Sequence, residues 1–141
     1  MALIHALKKE WIKKQSRNWD KMYIAVDLHE TVMMPSYRAN EVEASIYTEA
    51  INCLQHLSSR SDIILIMWTS STKASINGYM ETLESKYGIK FDYVNENPLE
   101  VSNEVSNFSQ KFYFNLVFDD KAGFYPNEDW YIVHDFFLNN H

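Results

Sequence analysis

Four short stretches of the chain carry side chains suited to phosphate and metal chemistry: Asp27 with His29, Thr69 with Ser70, Lys111, and the pair Asp119-Asp120. Carboxylates that converge near a hydroxyl cannot all stay ionised without a cation. A hard divalent ion suits oxygen donors, and Mg2+ takes one or two carboxylates together with waters and a phosphate oxygen. A carboxylate beside such an ion can attack a phosphoryl group and form an aspartyl-phosphate. Thr69, with the N–H groups of a following helix start, can hold phosphate oxygens. Lys111 is the candidate to balance the remaining charge. Each residue also has a plainer role. Asp27 could be a turn residue, Thr69 and Ser70 ordinary helix caps, and Lys111 a solvated lysine no different from Lys73 or Lys121. Asp119 and Asp120 cannot be ranked against each other. It is the combination that favours a site.

The elements needed to bring these groups together are legible as apolar runs. Tyr23-Ile24-Ala25-Val26, ending in Asp27, is too short for a helix and reads as a buried strand. Residues 62–68 are almost continuously apolar, as a strand covered on both faces should be, and lead into Thr69-Ser70-Ser71-Thr72. Phe91-Asp92-Tyr93-Val94 and residues 112–118 read as two more strands. Helical spacing of apolar residues marks 2–17, 43–58, 73–87 and 128–138. The hydroxyl run can cap the third of these helices, Gly88 can end it, and Asn127 can cap the last. Trp68 and Trp130 are expected in or near the core, as is Cys53. His56 is expected at the surface or a helix end. Strand and helix alternate, which predicts an α/β fold: a Rossmann-like three-layer α/β/α arrangement around a mainly parallel sheet. In such sheets the ligand site lies beyond the carboxyl ends of the strands, where Asp27, Thr69-Ser70 and Asp119-Asp120 fall.

Residues 23–32, Tyr-Ile-Ala-Val-Asp-Leu-His-Glu-Thr-Val, resemble the first motif of the haloacid dehalogenase-like hydrolases, an apolar strand ending Asp-x-Asp-x-Thr. Ile64-Leu65-Ile66-Met67-Trp68-Thr69-Ser70 is similar to the second motif. Lys111 followed by Leu116-Val117-Phe118-Asp119-Asp120 is similar to the third and fourth. Phe91-Asp92-Tyr93-Val94-Asn95-Glu96-Asn97 and Asp119-Asp120-Lys121-Ala122 also resemble a small capless branch found in bacteria and phages. The likeness spans about residues 22–135. It implies a Mg2+-dependent phosphatase in which Asp27 is nucleophile and metal ligand. Thr69, with Ser70, would bind the phosphoryl group and Lys111 would neutralise it. Asp119 and Asp120 would hold the metal, joined by the backbone carbonyl of residue 29. The chain departs from the pattern at His29, where the phosphatases carry the acid/base Asp. A general acid/base contributes roughly 10²–10⁴-fold in rate. Histidine can serve, with an ordinary pKa of about 6.5, although a nearby divalent ion disfavours the imidazolium. The alternative is a catalytically impaired phosphate- or partner-binding protein on the same fold.

Bulk properties narrow the remaining classes. The chain has 141 residues, the size of one domain, here a helix over 1–20 and a core over 21–138. Its 46% hydrophobic content supports a core rather than disorder. Thirteen basic and nineteen acidic residues give a net charge of −6, so broad nucleic-acid binding is not expected. The basic cluster Lys8, Lys9, Lys13, Lys14 and Arg17 lies on the first helix, whose apolar face is expected to rest on the domain with its lysines in water. One cysteine permits no internal disulfide. No run approaches the ~20 apolar residues of a membrane span, and a cytoplasmic protein is expected. The expected partner is a phosphorylated small molecule or nucleotide. The chain has little room for a cap domain, and the resemblance to capless members implies a site that is open or completed by a second copy in a homo-oligomer. The loop over 95–108 is a candidate lid, and Tyr37 and Arg38 read more simply as solvent-facing than as substrate contacts.

Overall fold

The computed structural model describes residues 2–34, 46–96 and 114–141. Helix α1 (Ala2–Ser16) is followed by strand β1 (Met22–Asp27), helix α2 (Thr48–Ser59), strand β2 (Ile63–Trp68) and helix α3 (Lys73–Tyr87). Strands β3 (Tyr93–Val94) and β4 (Leu116–Phe118), a 3₁₀ turn (Asp120–Ala122) and helix α4 (Pro126–Asn139) follow. The four strands form one sheet in the order β3-β2-β1-β4, with every pairing parallel. The expected α/β class is therefore observed, and four helices around an all-parallel sheet are compatible with a three-layer Rossmann-like arrangement.

The apolar content of each strand follows from its place in the sheet. β1 and β2 are paired on both edges and covered on both faces, so Met22, Ile24, Ala25, Val26, Leu65, Ile66 and Met67 are all buried. The edge strands are shorter than their apolar runs, because side chains take over part of the ladder. The Asp92 carboxylate accepts the Leu65 N–H at 2.9 Å while the Asp92 N–H donates to the Leu65 carbonyl. Asn115 does the same opposite Tyr23: its Oδ1 accepts the Tyr23 N–H and its own N–H donates to the Tyr23 carbonyl, both at 2.7 Å. The expected strands over 91–94 and 112–118 thus reduce to Tyr93–Val94 and Leu116–Phe118, with residues 112 and 113 outside the described residues.

The helices bury the stripes their spacing predicts. Ala50, Cys53, Leu54 and Leu57 line one side of α2, and Trp130, Val133, Phe136 and Phe137 one side of α4. These two helices pack on each other, and α1 lies against α4 and β4 with Leu7 and Trp11 buried. Lys8 and Lys9 face water as expected for a helix resting on the domain, but Lys14 does not: its side chain is mostly buried over the Trp11 ring and 3.5 Å from Asp62, and Lys13 pairs with Glu10. α3 is capped by Thr72, whose Oγ1 accepts the Ser75 N–H, and ends at Gly88 in the left-handed region with φ of 67°. Two helix starts and one burial differ from the sequence reading. α2 begins at Thr48, because Ile46 bridges to Met33 and the Tyr47 N–H donates to the Val32 carbonyl. The start of α4 is not capped by Asn127. Pro126 occupies its first turn, and the Asp129 carboxylate accepts the Tyr125 N–H at 2.7 Å. Trp68 is not a core residue: it retains 38% exposure, whereas Trp130 is fully buried. No helix among the described residues is long and apolar enough to cross a membrane.

Candidate functional site

Strand order and register together determine which side chains meet. The chain moves from β1 out to β2 and β3, then returns to the other side of β1 with β4. Two neighbouring strands whose connections leave in opposite directions open a crevice at their carboxyl ends, where ligands of open α/β sheets bind. Val26 pairs with Phe118, so Asp27 and Asp119 are each the next residue beyond that rung. Asp27 itself pairs with Trp68, so Thr69 lies one step further along β2. Met67 pairs with Val94, which brings Asn95 to the same edge. A cleft of about 590 Å³ forms there, lined by Asp27, His29, Thr69, Ser70, Asp119 and Asp120, with Glu30, Trp68, Asn95 and Lys121 around them.

One carboxylate oxygen from each of Asp27, Asp119 and Asp120 lies within 4.8 Å of the others, and each residue is half-buried. Burial, the Asp119 charge and a hydrogen bond with Asp120 push the Asp27 carboxyl up to about 7. Near neutral pH such a cluster is relieved either by a proton or by a cation. Its donors are all hard oxygens, the kind that Mg2+ accepts. The residues therefore fit a divalent ion held by Asp27, Asp119 and Asp120.

Thr31, which is not among the sequence candidates, ties the carboxylates together. It is fully buried. Its Oγ1 accepts the Asp120 N–H at 3.0 Å and stands 3.3 Å from Asp27 Oδ2 and 3.4 Å from Asp120 Oδ1, so its single proton is donated to one or the other. Its carbonyl accepts the Trp130 indole N–H at 2.8 Å, which anchors the loop to α4. Glu30, in the left-handed region with φ of 58°, turns the chain between His29 and Thr31. On the opposite side, Asp119 accepts the Lys121 N–H and so caps the 3₁₀ turn over Asp120–Ala122, which aims Asp120 back at Thr31. The sequence signal for Thr31 was its four-residue spacing from Asp27.

The hydroxyl side of the cleft is equally connected. The Thr69 N–H donates to Asn95 Oδ1 and the Thr69 carbonyl accepts from Asn95 Nδ2, so Asn95 holds the end of β2 much as another strand would. The Thr69 and Ser71 hydroxyls are 3.1 Å apart, and Ser71 Oγ also bonds His29 Nε2. His29 stands edge-on to Tyr79 of α3, and burial holds its pKa below the usual value. His29 is thus in the site, but its Nε2 is engaged by Ser71. Neither Ser71 nor Asn95 was marked from the sequence. Asn95 directly follows β3 and Ser71 lies three residues past the end of β2, positions too common to single out.

Of the sequence candidates, the structure brings together Asp27, His29, Thr69, Ser70, Asp119 and Asp120. Lys111 lies outside the described residues, as do Tyr37, Arg38 and most of the 95–108 loop. Lys121, considered only as an alternative to Lys111, lines the cleft from an exposed position. Compared with protein-family models, curated proteins and solved structures, the chain matches none of them. The functional reading therefore rests on the site itself.

Proposed function

We propose that the chain is a Mg2+-dependent phosphohydrolase of the haloacid dehalogenase-like kind, acting through an aspartyl-phosphate on Asp27. The observation that carries this reading is the meeting of Asp27, Asp119 and Asp120 with Thr69 at the switch point of a parallel sheet. A bound divalent ion would neutralise the carboxylates and polarise the phosphoryl oxygens. A carboxylate oxygen of Asp27 attacks phosphorus, the ester P–O bond breaks, and the leaving oxygen takes a proton from solvent. Water then attacks the aspartyl-phosphate, releasing inorganic phosphate and restoring the Asp27 carboxylate. Thr69 and Ser70 bind phosphoryl oxygens, and Lys111 or Lys121 balances their charge. His29 would take up the proton of the attacking water at Nε2, exchanging its bond with Ser71 Oγ for one with the water. The substrates of this reading are phosphorylated small molecules or nucleotides.

Hydrolysis of an aryl phosphate with Mg2+ tests it. The wild type is expected to turn over and Asp27→Asn to lose at least a hundredfold in rate; equal rates would sink the proposal. Calorimetric titration should show Mg2+ binding that Asp119→Asn and Asp120→Asn each weaken.

The bond between His29 and Ser71 favours one second reading, a phosphate-binding protein without turnover, because a histidine so engaged is a poor acid toward a leaving group. His29→Asp separates the two. A large gain in hydrolysis supports the binding protein, whereas a loss supports His29 as the working acid/base.

A further inference from the structure

β2 is apolar throughout and ends in Trp68, its one exposed residue. An indole is among the largest apolar groups a chain can bury, and Trp11 and Trp130 are buried to 5% and 0% exposure. Trp68 instead keeps 38% of its surface exposed, and it is one of the residues that line the cleft. It pairs with Asp27 across the β1–β2 rung, and paired residues on adjacent strands are only about 5 Å apart. The cleft therefore has two chemically different walls. Asp27, Asp119, Asp120 and Thr69 form the polar one, and the Trp68 indole supplies a flat apolar surface beside them. The polar wall alone would serve for inorganic phosphate or a sugar phosphate. The volume of about 590 Å³ also leaves space for a planar group, since small-molecule sites commonly span about 300–1,000 Å³.

We propose that the cleft selects phosphate monoesters that carry a planar aromatic ring, with the ring stacked on Trp68. This rests on the phosphate-handling reading above and names its substrate class. Nucleoside 5′-monophosphates and aryl phosphates share the required chemistry. A nucleotide places a sugar between phosphate and ring, whereas an aryl phosphate joins them directly. Ring stacking of this kind changes affinity by about 5- to 150-fold.

The test measures binding rather than turnover, on the full chain carrying Asp27→Asn, with Mg2+ present. Two matched pairs are titrated calorimetrically: AMP against ribose 5-phosphate, and O-phosphotyrosine against O-phosphoserine. In at least one pair the aromatic member should bind at least fivefold more tightly, and that pair identifies the source of the ring. Adding Trp68→Ala should shrink the ratio within that pair to less than twofold, with Trp68→Phe retaining most of it. Trp68→Leu keeps apolar bulk without a π face and should behave like the alanine variant. Equal binding within both pairs overturns the stacking proposal and leaves phosphate handling intact. So does a Trp68→Ala protein that weakens both members alike, or a Trp68→Leu protein that matches wild type. Failure of all four compounds to bind overturns the phosphate-handling reading and this inference with it.

Discussion

Asp27 is where function and stability pull in opposite directions. Burial and its carboxylate neighbours raise its pKa from the ordinary 3.8 to about 7. A carboxyl whose folded pKa lies above its unfolded one contributes stability that is fully present below the unfolded value and lost as pH rises through the folded value. With divalent ions chelated, Asp27→Asn should therefore be more stable than wild type at about pH 8, by roughly 1–2 kcal/mol once water in the open cleft has screened the repulsion. The difference should vanish near pH 4. Urea denaturation at the two pH values checks this, and equal stabilities at about pH 8 would contradict it. Thr31 has the opposite character, since its buried hydroxyl accepts the Asp120 N–H and donates its one proton to Asp27 or Asp120. Thr31→Val preserves shape but strands that N–H, so a loss of about 1–3 kcal/mol is expected. Mg2+ affinity should fall with it, because Asp120 loses the bonds that aim it at Asp27. A thermal melt and a Mg2+ titration of the same variant report the two effects separately.

At the scale of elements, polar side chains finish what the strands begin. Asp92, Asn95 and Asn115 each extend the sheet by a side-chain bond, and Asn95 thereby positions Thr69. The amino-terminal end of β2 is fastened in another way. Asp62 accepts from Arg60 Nε and Nη2 at 2.9 and 2.8 Å and lies 3.5 Å from Lys14 of α1. Arg60 Nη1 in turn donates to the Phe137 carbonyl at the end of α4. The Arg60 hydrogen bonds, reinforced by the charges of Arg60 and Lys14, hold the Asp62 carboxyl below its ordinary 3.8. This contribution is present above the unfolded pKa and disappears as pH falls through the lower folded value. Asp62→Asn should consequently be less stable than wild type near pH 6, with the gap closing below about pH 4. Denaturant midpoints across that range give the measurement, and a gap independent of pH would exclude the ionic account.

The whole molecule depends on α1 more than a peripheral basic helix would. Trp11 meets Phe136 and Phe137 edge-on, with ring centroids 6.3 and 6.2 Å away, and the Arg60 guanidinium lies 5.4 Å from its ring centre. One indole thus joins α1, the end of α2 and α4, and α4 carries the Trp130 that anchors the Thr31 loop. Trp11→Ala should cost about 3–5 kcal/mol, the range for deleting a large buried aromatic. That loss is a large share of a typical domain's stability, so a lowered denaturation midpoint and weaker Mg2+ binding at 37 °C are expected together. A change within about 0.5 kcal/mol would show that α1 is dispensable.

Apolar periodicity alone determined the helices, the two central strands and the parallel class, because burial on one stripe or two faces leaves a pattern that survives without coordinates. It also placed Asp27, Thr69 and Asp119-Asp120 at strand ends. Three things were left to the tertiary structure. Register brought Asp27 level with Trp68 and one step past the Val26–Phe118 rung, and no local pattern encodes register between strands separated by tens of residues. Side-chain hydrogen bonds made Thr31, Ser71 and Asn95 part of the site, although each is an ordinary polar residue after a strand. Exposure separated Trp68 from Trp130, two indoles that hydrophobicity treats alike, because only the end of the sheet decides which of them meets water. Asp27 as a carboxylate at a strand end belongs to the sequence; its shifted pKa and its acidic company belong to the fold, since the first arises from burial and then from Asp119 and Asp120, which only the sheet brings beside it.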